Sequence, residues 1–210
     1  MTLINSSHEY TGTRKRTYNL LINTALMLFE KGDIPSVSEL AIEAGVSRAT
    51  AYRYFPTQSD LIAAIVNASL GPILTWKPSS EKTEERIDEL LTFALPRMFE
   101  HEGALRAALQ ISLQQWAKGR ASPQEQTEKR LERGNRKDIL AMVTEPMKGE
   151  FPQELIDKVI KAFSVIYGSE IFVVLKDIWK QEDDEVIKMA KWMAKAVINQ
   201  AIADKESQLK

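Results

Sequence analysis

The sequence contains no cysteine and only two histidines. A chain without cysteine has no disulfide framework, no thiolate nucleophile and no sulfur ligand for a metal. The histidines, His8 and His101, belong to neither an H-E-x-x-H nor an E-x-x-H pattern, so the metal sites of helical bundles are not expected. Phosphate-binding glycine loops and nucleophile elbows are also missing. We therefore expect no catalytic residue, metal or cofactor, and a helical enzyme is the alternative from another functional class.

Long hydrophobic runs and an excess of one charge are missing as well. No run approaches the roughly 18 apolar residues of a transmembrane helix. Residues 1–16 lack the apolar core of a secretory signal, which favours a cytoplasmic protein without membrane contacts. The 28 basic and 29 acidic side chains give a net charge of −1. Any binding of nucleic acid must therefore depend on where the basic side chains lie, since their total gives no excess.

The two-residue alternation of half-buried strands is absent, and apolar residues recur at helical steps. This period predicts an all-α fold of about nine helices, the later ones over 83–101, 104–118, 124–145, 152–180 and 183–205. On the first helix it places one apolar face at Leu20, Leu21, Thr24, Ala25, Leu28 and Phe29. Helix-breaking residues from Gly71 to Ser80 mark a boundary. We predict a flexible tail over 1–12, an N-terminal helical domain over 13–75 that includes the start of a connecting helix (57–75), and a second helical domain over 76–210.

Several helix boundaries fall close together in the N-terminal part. Ser36 and Glu39 have the spacing of a capping box, and Gly45 ends the short helix that follows. Ser47 caps the next helix, and Pro56 ends it before Thr57–Asp60 caps another. Two short helices joined by the sequence AGVS form a helix-turn-helix, whose second helix lies in the DNA major groove.

The spacing on that second helix predicts which side chains face the DNA. Ala51 and Phe55 lie four residues apart and face the core. The outward face then holds Arg48, Ala49, Tyr52 and Arg53. Arg48 can donate two hydrogen bonds to guanine, and the small Ala49 permits close approach or contacts a thymine methyl.

The hydroxyls of Thr50, Tyr52 and Tyr54 suit phosphate oxygens. The alternative is a solvated αα-hairpin surface. It does not explain two arginines and two tyrosines on a helix without an acid.

Residues 14–61 resemble the DNA-binding domain of the TetR family of bacterial repressors. The shared pattern comprises Phe29, Gly32, Ser36, the AGVS turn over 44–47, and Tyr52–Phe55. The resemblance implies phosphate contacts from Ser36, Ser38, Tyr52 and Tyr54, and base or nearby phosphate contacts from Arg48, Ala49 and Thr50. Gln58 stands where the family usually has a lysine, which removes a charged phosphate contact. The basic residues that could compensate from the N-terminal arm are Arg14, Lys15 and Arg16; the alternative is that they form a solvated helix start.

The resemblance also implies a helix-turn-helix DNA-binding domain over 13–75 and an effector-binding and dimerisation domain over 76–210. The protein would be a repressor that binds a pseudo-palindromic operator as a homodimer. The helices 152–180 and 183–205 are the expected interface and would form a four-helix bundle. The first has an apolar face of Leu155, Val159, Ala162, Phe163, Ile166, Tyr167, Val173 and Val174. The second has Val186, Met189, Ala190, Met193, Val197 and Ala201. The alternative is that both faces pack within their own subunit.

The middle helices are expected to enclose a small hydrophobic effector that releases the repressor from DNA. Candidate contacts are Phe93, Arg97, Met98, Leu109, Gln110, Leu113, Gln114, Gln115, Trp116, Met142, Phe163 and Tyr167. The alternative for each is an ordinary core or surface position, and the sequence does not select among them. The segment from Ala68 to Trp76 is the expected link to the DNA-binding domain. A family member without small-molecule sensing, such as a nucleoid-associated protein or an activator, is the alternative, and a solidly packed middle region would favour it.

Overall fold

The computed structural model describes residues 10–121, 131 and 135–208 of the chain. This part contains nine α-helices, a 3-10 turn at Glu145–Met147 and a π-helical segment at Phe172–Ile178. The α-helices are α1 (Gly12–Glu30), α2 (Val37–Glu43), α3 (Arg48–Tyr54), α4 (Gln58–Leu74), α5 (Thr83–Glu100), α6 (Glu102–Ala121), α7 (Asn135–Val143), α8 (Gln153–Ile166) and α9 (Asp183–Gln208). The predicted all-α class is confirmed. Of the predicted helix 124–145, residues 124–130 and 132–134 lie outside the described residues, and α7 occupies 135–143.

Glycines in the left-handed region end the first two helices. Gly45 has a φ of 66°, a backbone angle that glycine adopts at little cost because it has no Cβ. The N–H of Val46 reaches the carbonyl of Ala41 at 2.9 Å, and that of Gly45 reaches Ile42 at 3.1 Å. These two bonds form a Schellman motif, which turns the chain sharply from α2 toward α3.

Side chains cap the starts of the next helices, as predicted. Ser36 and Glu39 form the complete capping box of α2. The side chain of Ser47 accepts from the N–H of Thr50 at the start of α3. Before α4, the N–H of Thr57 donates to the Asp60 carboxylate at 3.2 Å, and the N–H of Asp60 donates back to the Thr57 hydroxyl at 3.1 Å. Local side chains therefore fix the starts of α2, α3 and α4.

Contacts divide the chain into two units. The first comprises residues 1–71 and 101–132. Its core is formed by apolar side chains of α1 to α4 together with Ala104, Ala107 and Ala108 of α6. α6 packs on α1 so closely that a Cβ at Gly103 would overlap the carbonyl oxygen of Phe29. This grouping differs from the predicted domains, 13–75 and 76–210, because α6 packs with α1.

The predicted apolar face of α1 needs one correction. Leu21, Ala25 and Phe29 are buried, but Leu20 is 46% exposed. Tyr18 and Ile22 are buried in its place. The buried face therefore follows steps of three and four residues from Tyr18, and Leu20 falls outside it.

The second unit comprises residues 72–100 and 133–210. In it α9 packs against α5 and α8, and α7 packs against α8. The apolar face of α8 is buried within the subunit through Leu155, Val159, Phe163 and Ile166. Among the described residues, no helix has the length and apolar character that crossing a bilayer requires.

The predicted helix over 152–180 is wrong as a single element. α8 ends at Ile166, and Tyr167 leaves the helical region with φ −100° and ψ 85°. Arg136 of α7 stabilises the break: one guanidinium nitrogen donates to the carbonyl of Ser164 at 2.7 Å, and another donates to both carboxylate oxygens of Glu170 at 3.0 and 3.3 Å. The chain resumes as the π-helical segment. The break thus depends on a side chain from another helix, which satisfies a carbonyl at the α8 end.

Candidate nucleic-acid interface

The outward side of α2 and α3 forms one polar surface. We call it the α2–α3 surface and define it by Ser36, Ser38, Ser47, Arg48, Ala49, Thr50, Tyr52 and Arg53. The inward side of α3 is anchored by Ala51 and Phe55, which are 0% and 2% exposed. Burial of these two side chains fixes the rotation of α3, as the spacing predicts. Arg48, Ala49, Tyr52 and Arg53 are consequently exposed.

The first turn of α3 combines a cation with a small side chain. Arg48 is the first helical residue, directly after the Ser47 cap, and Ala49 follows. Both are exposed, and α3 carries no acid beside Arg48 and Arg53. A guanidinium at a helix tip can reach the floor of a groove when its neighbour has no long side chain. This arrangement fits bidentate hydrogen bonding to guanine.

Hydroxyl groups on the α2–α3 surface occur in two pairs. The side-chain oxygen of Ser38 lies 3.2 Å from the hydroxyl of Tyr52. That of Ser47 lies 2.8 Å from the hydroxyl of Thr50. Each pair has two hydroxyl hydrogens. One of them forms the hydrogen bond within the pair, so the other remains available for an acceptor outside the pair. Phosphate oxygens accept hydrogen bonds, and the pairs therefore suit a phosphate backbone.

The single acid in the α2 cap is held in place by Ser36. The backbone N–H of Ser36 donates to the Glu39 carboxylate at 2.7 Å, and the Ser36 side chain accepts from the Glu39 N–H at 3.2 Å. The backbone bond, followed by the side chain of Ser36, lowers the pKa of Glu39. These reciprocal bonds hold Glu39 at the start of α2.

Two predicted phosphate contacts make hydrogen bonds inside the domain. The hydroxyl of Tyr54 donates to the backbone carbonyl of Arg14 at 3.1 Å. The amide nitrogen of Gln58 donates to the carbonyl of Pro35 at 2.8 Å, which ties the start of α4 to the segment before α2. Gln58 keeps a second N–H, whereas Tyr54 has only one hydroxyl hydrogen. The basic side chains of Arg14, Lys15 and Arg16 are exposed in the first turns of α1.

Comparison with known proteins identifies this helix-turn-helix. The family model described as "Bacterial regulatory proteins, tetR family" matches residues 21–65, which include α2, α3 and their caps. Residues 21–65 are therefore similar to the DNA-binding segment of TetR-family regulators. In helix-turn-helix proteins the second helix enters the major groove, and the exposed face of α3 lies on that element.

Individual relatives agree over different lengths. The HTH-type transcriptional repressor LfrR of Mycolicibacterium smegmatis is 31% identical over 55 residues, which are 26% of this chain and 29% of LfrR. The chain thus matches less than a third of that relative's length. A TetR-family transcriptional regulator from Streptomyces coelicolor has a TM-score of 0.65 at 16% identity, over 94% of this chain and 86% of its own. A TetR regulator from Rhodococcus sp. RHA1 has a TM-score of 0.57 at 13% identity, over 89% and 97%. The TetR-like fold therefore extends over most of the chain.

The predicted effector contacts fall in both units. In the second, Met98, Phe163 and Tyr167 are buried, Arg97 and Met142 are half-buried, and Phe93 is 45% exposed. Burial raises the pKa of the Tyr167 phenol, and the charge of Arg136 opposes that rise. In the first unit, four of the predicted contacts are exposed on α6: Gln110, Leu113, Gln114 and Trp116. Trp116 is covered by the guanidinium of Arg120, whose carbon lies 5.4 Å from the ring centre.

Gln115 has a role that sequence reasoning missed. It was expected among the effector contacts with Leu109, which is half-buried. Its amide nitrogen donates to the hydroxyl of Ser59 in α4 at 2.9 Å, and its amide oxygen accepts from the N–H of Leu131 at 2.9 Å. These bonds join α6 to the start of α4. No local signal points to them, because Ser59 and Gln115 lie far apart in sequence.

An open groove of about 680 Å³ lies in the second unit, between α5 and α9. It contains none of the predicted effector contacts. Its charged side chains pair with one another: Lys191 lies 2.9 Å from Asp88, and Lys195 lies 3.7 Å from Glu84.

Proposed function

We propose that this TetR-family regulator is a transcriptional repressor that binds a pseudo-palindromic operator as a homodimer and is released by a small hydrophobic effector. The observation that carries the proposal is the orientation of α3. Its inward residues are buried, and its exposed face presents Arg48 and Ala49 at the helix tip. The similarity to LfrR, a transcriptional repressor, supports the direction of regulation.

The proposed DNA contacts divide into two classes. Arg48 and Ala49 contact base edges in the major groove, and Thr50 contacts a base or a nearby phosphate. The residues assigned to the phosphate backbone are Ser36, Ser38, Ser47, Tyr52, Arg53 and Gln58 together with Arg14 and Lys15. Backbone contacts fix the register of the protein on the duplex, and base contacts supply the sequence preference.

Dimerisation is proposed through exposed apolar side chains of α8, the π-helical segment after it and α9. The previously expected contacts Leu155, Val159 and Phe163 are buried within the subunit. Apolar side chains that are exposed in the second unit are the better candidates: Val165 of α8, Val174, Ile178 and Trp179 of the following segment, and Trp192 and Ile202 of α9. Exposed apolar surface of this kind is typical of an association site. A two-fold dimer would then present two copies of α3 to two half-sites.

Release by an effector is proposed as reciprocal coupling. A ligand that binds preferentially to a dimer unable to span both half-sites lowers the affinity for DNA. By thermodynamic linkage, DNA lowers the affinity for the ligand by the same factor. The six candidates of the second unit, Phe93, Arg97, Met98, Met142, Phe163 and Tyr167, stay the proposed effector contacts. The C-terminal end of α4 and the residues after it, 68–76, are proposed as the link.

A genome-wide map of bound sites tests the proposal most broadly. A repressor of this kind is expected to occupy a few sites that share an inverted repeat, and deletion of its gene should raise transcription of the adjacent genes. Occupancy spread over the genome without a motif would contradict operator binding. Compounds related to the products of the neighbouring genes can then be titrated with and without operator, where equal affinities would contradict the coupling.

A further inference from the structure

Aromatic side chains join the end of α3 to the beginning of α1. The ring centres of Tyr10 and Tyr54 lie 5.1 Å apart, and those of Tyr10 and Tyr18 lie 5.3 Å apart. Tyr18 also contacts Phe55, with ring centres at 5.8 Å. Tyr18 and Phe55 are buried, and Tyr10 and Tyr54 are half-buried. Ring pairs at these distances add stabilisation beyond the burial of area.

One hydrogen bond completes this aromatic cluster of Tyr10, Tyr18, Tyr54 and Phe55. The hydroxyl of Tyr54 donates to the carbonyl of Arg14 at 3.1 Å. A phenol has a single hydrogen, and a phosphate oxygen can only accept one. While Tyr54 bonds to Arg14, it cannot also donate to the DNA backbone. Any effect of the Tyr54 hydroxyl on DNA binding is then expected to act through the position of Arg14.

The held residue begins a run of basic side chains. Arg14, Lys15 and Arg16 are exposed in the first turns of α1, which begins at Gly12. Helix ends fray unless they are tied down. A bond from α3 to the backbone of Arg14 fixes this turn at a constant position relative to Arg48 and Ala49. Cations that are already in place lose less freedom when they meet phosphates.

We propose that Tyr54 is a positioning residue, which sets the basic first turn of α1 in register with the base-contacting end of α3. The proposal rests on the proposed operator binding and corrects the expected phosphate contact of Tyr54. The sequence-independent attraction of the α1 cations then depends on a residue that does not touch DNA.

A double-mutant cycle tests this role. Tyr54→Phe keeps the ring and removes only the hydroxyl. In the full-length protein it should weaken binding to operator and unrelated duplexes alike, by about 3- to 10-fold at low salt. In an Arg14→Ala/Lys15→Ala/Arg16→Ala background, which keeps the carbonyl at position 14, the same change should have almost no effect. An equal loss in both backgrounds would indicate a direct phosphate contact and overturn the proposal.

Tyr52→Phe is the matched control, because its hydroxyl pairs with Ser38 and not with α1. Its loss should be the same in both backgrounds. A second readout needs no DNA: hydrogen exchange of the amides of residues 14–18 should be faster in Tyr54→Phe than in the wild type, and unchanged exchange would refute the tether. A wild type that binds no duplex would contradict the proposed function, whereas the exchange measurement still decides whether Tyr54 holds the first turn of α1.

Discussion

The hydroxyl oxygen of Tyr52 lies 3.2 Å from the side-chain oxygen of Ser38, across the turn of the helix-turn-helix. The pair behaves as one donor, because one of its two hydrogens is used internally. Either residue alone can still supply a hydrogen to a phosphate. The bond therefore gives the α2–α3 surface a contact that tolerates the loss of one partner.

This relationship predicts non-additive effects on DNA affinity. Tyr52→Phe and Ser38→Ala should each cost less than about 1 kcal/mol of binding free energy, and the double variant should cost more than the sum. Titration of a labelled duplex with the four proteins measures the cycle. Additive losses would mean that each hydroxyl contacts DNA independently.

The contact between α1 and α6 predicts an effect on stability. Gly103→Ala places a methyl group on the carbonyl of Phe29, a backbone atom that cannot move without the helix. We expect a loss of about 1–3 kcal/mol in the free energy of unfolding, measured in urea. Gly71→Ala is the matched control, because a Cβ there meets nothing within 4 Å inside α4. The control should be neutral or stabilising by about 0.5–1 kcal/mol. A change in the free energy of unfolding for Gly103→Ala that equals the change for Gly71→Ala would contradict the close packing of α6 on α1.

The break after α8 predicts a role for Arg136. Arg136→Met leaves the Ser164 carbonyl and the Glu170 carboxylate without their guanidinium partner and should destabilise the protein by about 1–3 kcal/mol. Lys188→Met removes an exposed cation that pairs with Asp184 and Glu185, and its cost should stay below about 1 kcal/mol. Equal midpoints of urea unfolding for the two variants would argue against a stabilising role of the Arg136 hydrogen bonds to Ser164 and Glu170.

These cases show which parts of the structure the sequence could predict. The helix-turn-helix boundaries were predictable because their signals are local: Ser36 with Glu39, Gly45, Ser47, and Thr57 with Asp60 each act within a few residues. The orientation of α3 followed from the spacing of two buried side chains. Base-contacting candidates could therefore be named before the fold was known.

The remaining features depend on residues that are distant in sequence. The apolar pattern continues through 152–180, and only Arg136 from α7 shows why the helix stops at Ile166. The role of Tyr54 depends on Arg14, which is 40 positions away. The partition of α6 into the first unit depends on tight packing at Gly103. Periodicity reports which face is buried and does not report which neighbour buries it.

The cap of α2 predicts a dependence on pH. The pKa of Glu39 is lowered by its bonds to Ser36, so the carboxylate contributes stability above the ordinary glutamate pKa of about 4.3, and this is lost as the pH falls through the lowered value. An NMR titration should give Glu39 a lower midpoint than in Ser36→Gly, which removes the side-chain bond. Equal midpoints above pH 4 would contradict the capping box in solution.

The central claim is that α3 presents Arg48 to base edges of a duplex, and binding-site selection tests it most directly. The wild type should enrich an inverted repeat from random duplexes. Arg48→Ala should lose about 1–3 kcal/mol of discrimination at one base pair in each half-site, while Arg53→Ala should retain the motif with a uniformly lower affinity. The same motif from Arg48→Ala and the wild type, or no enrichment by the wild type, would contradict the account.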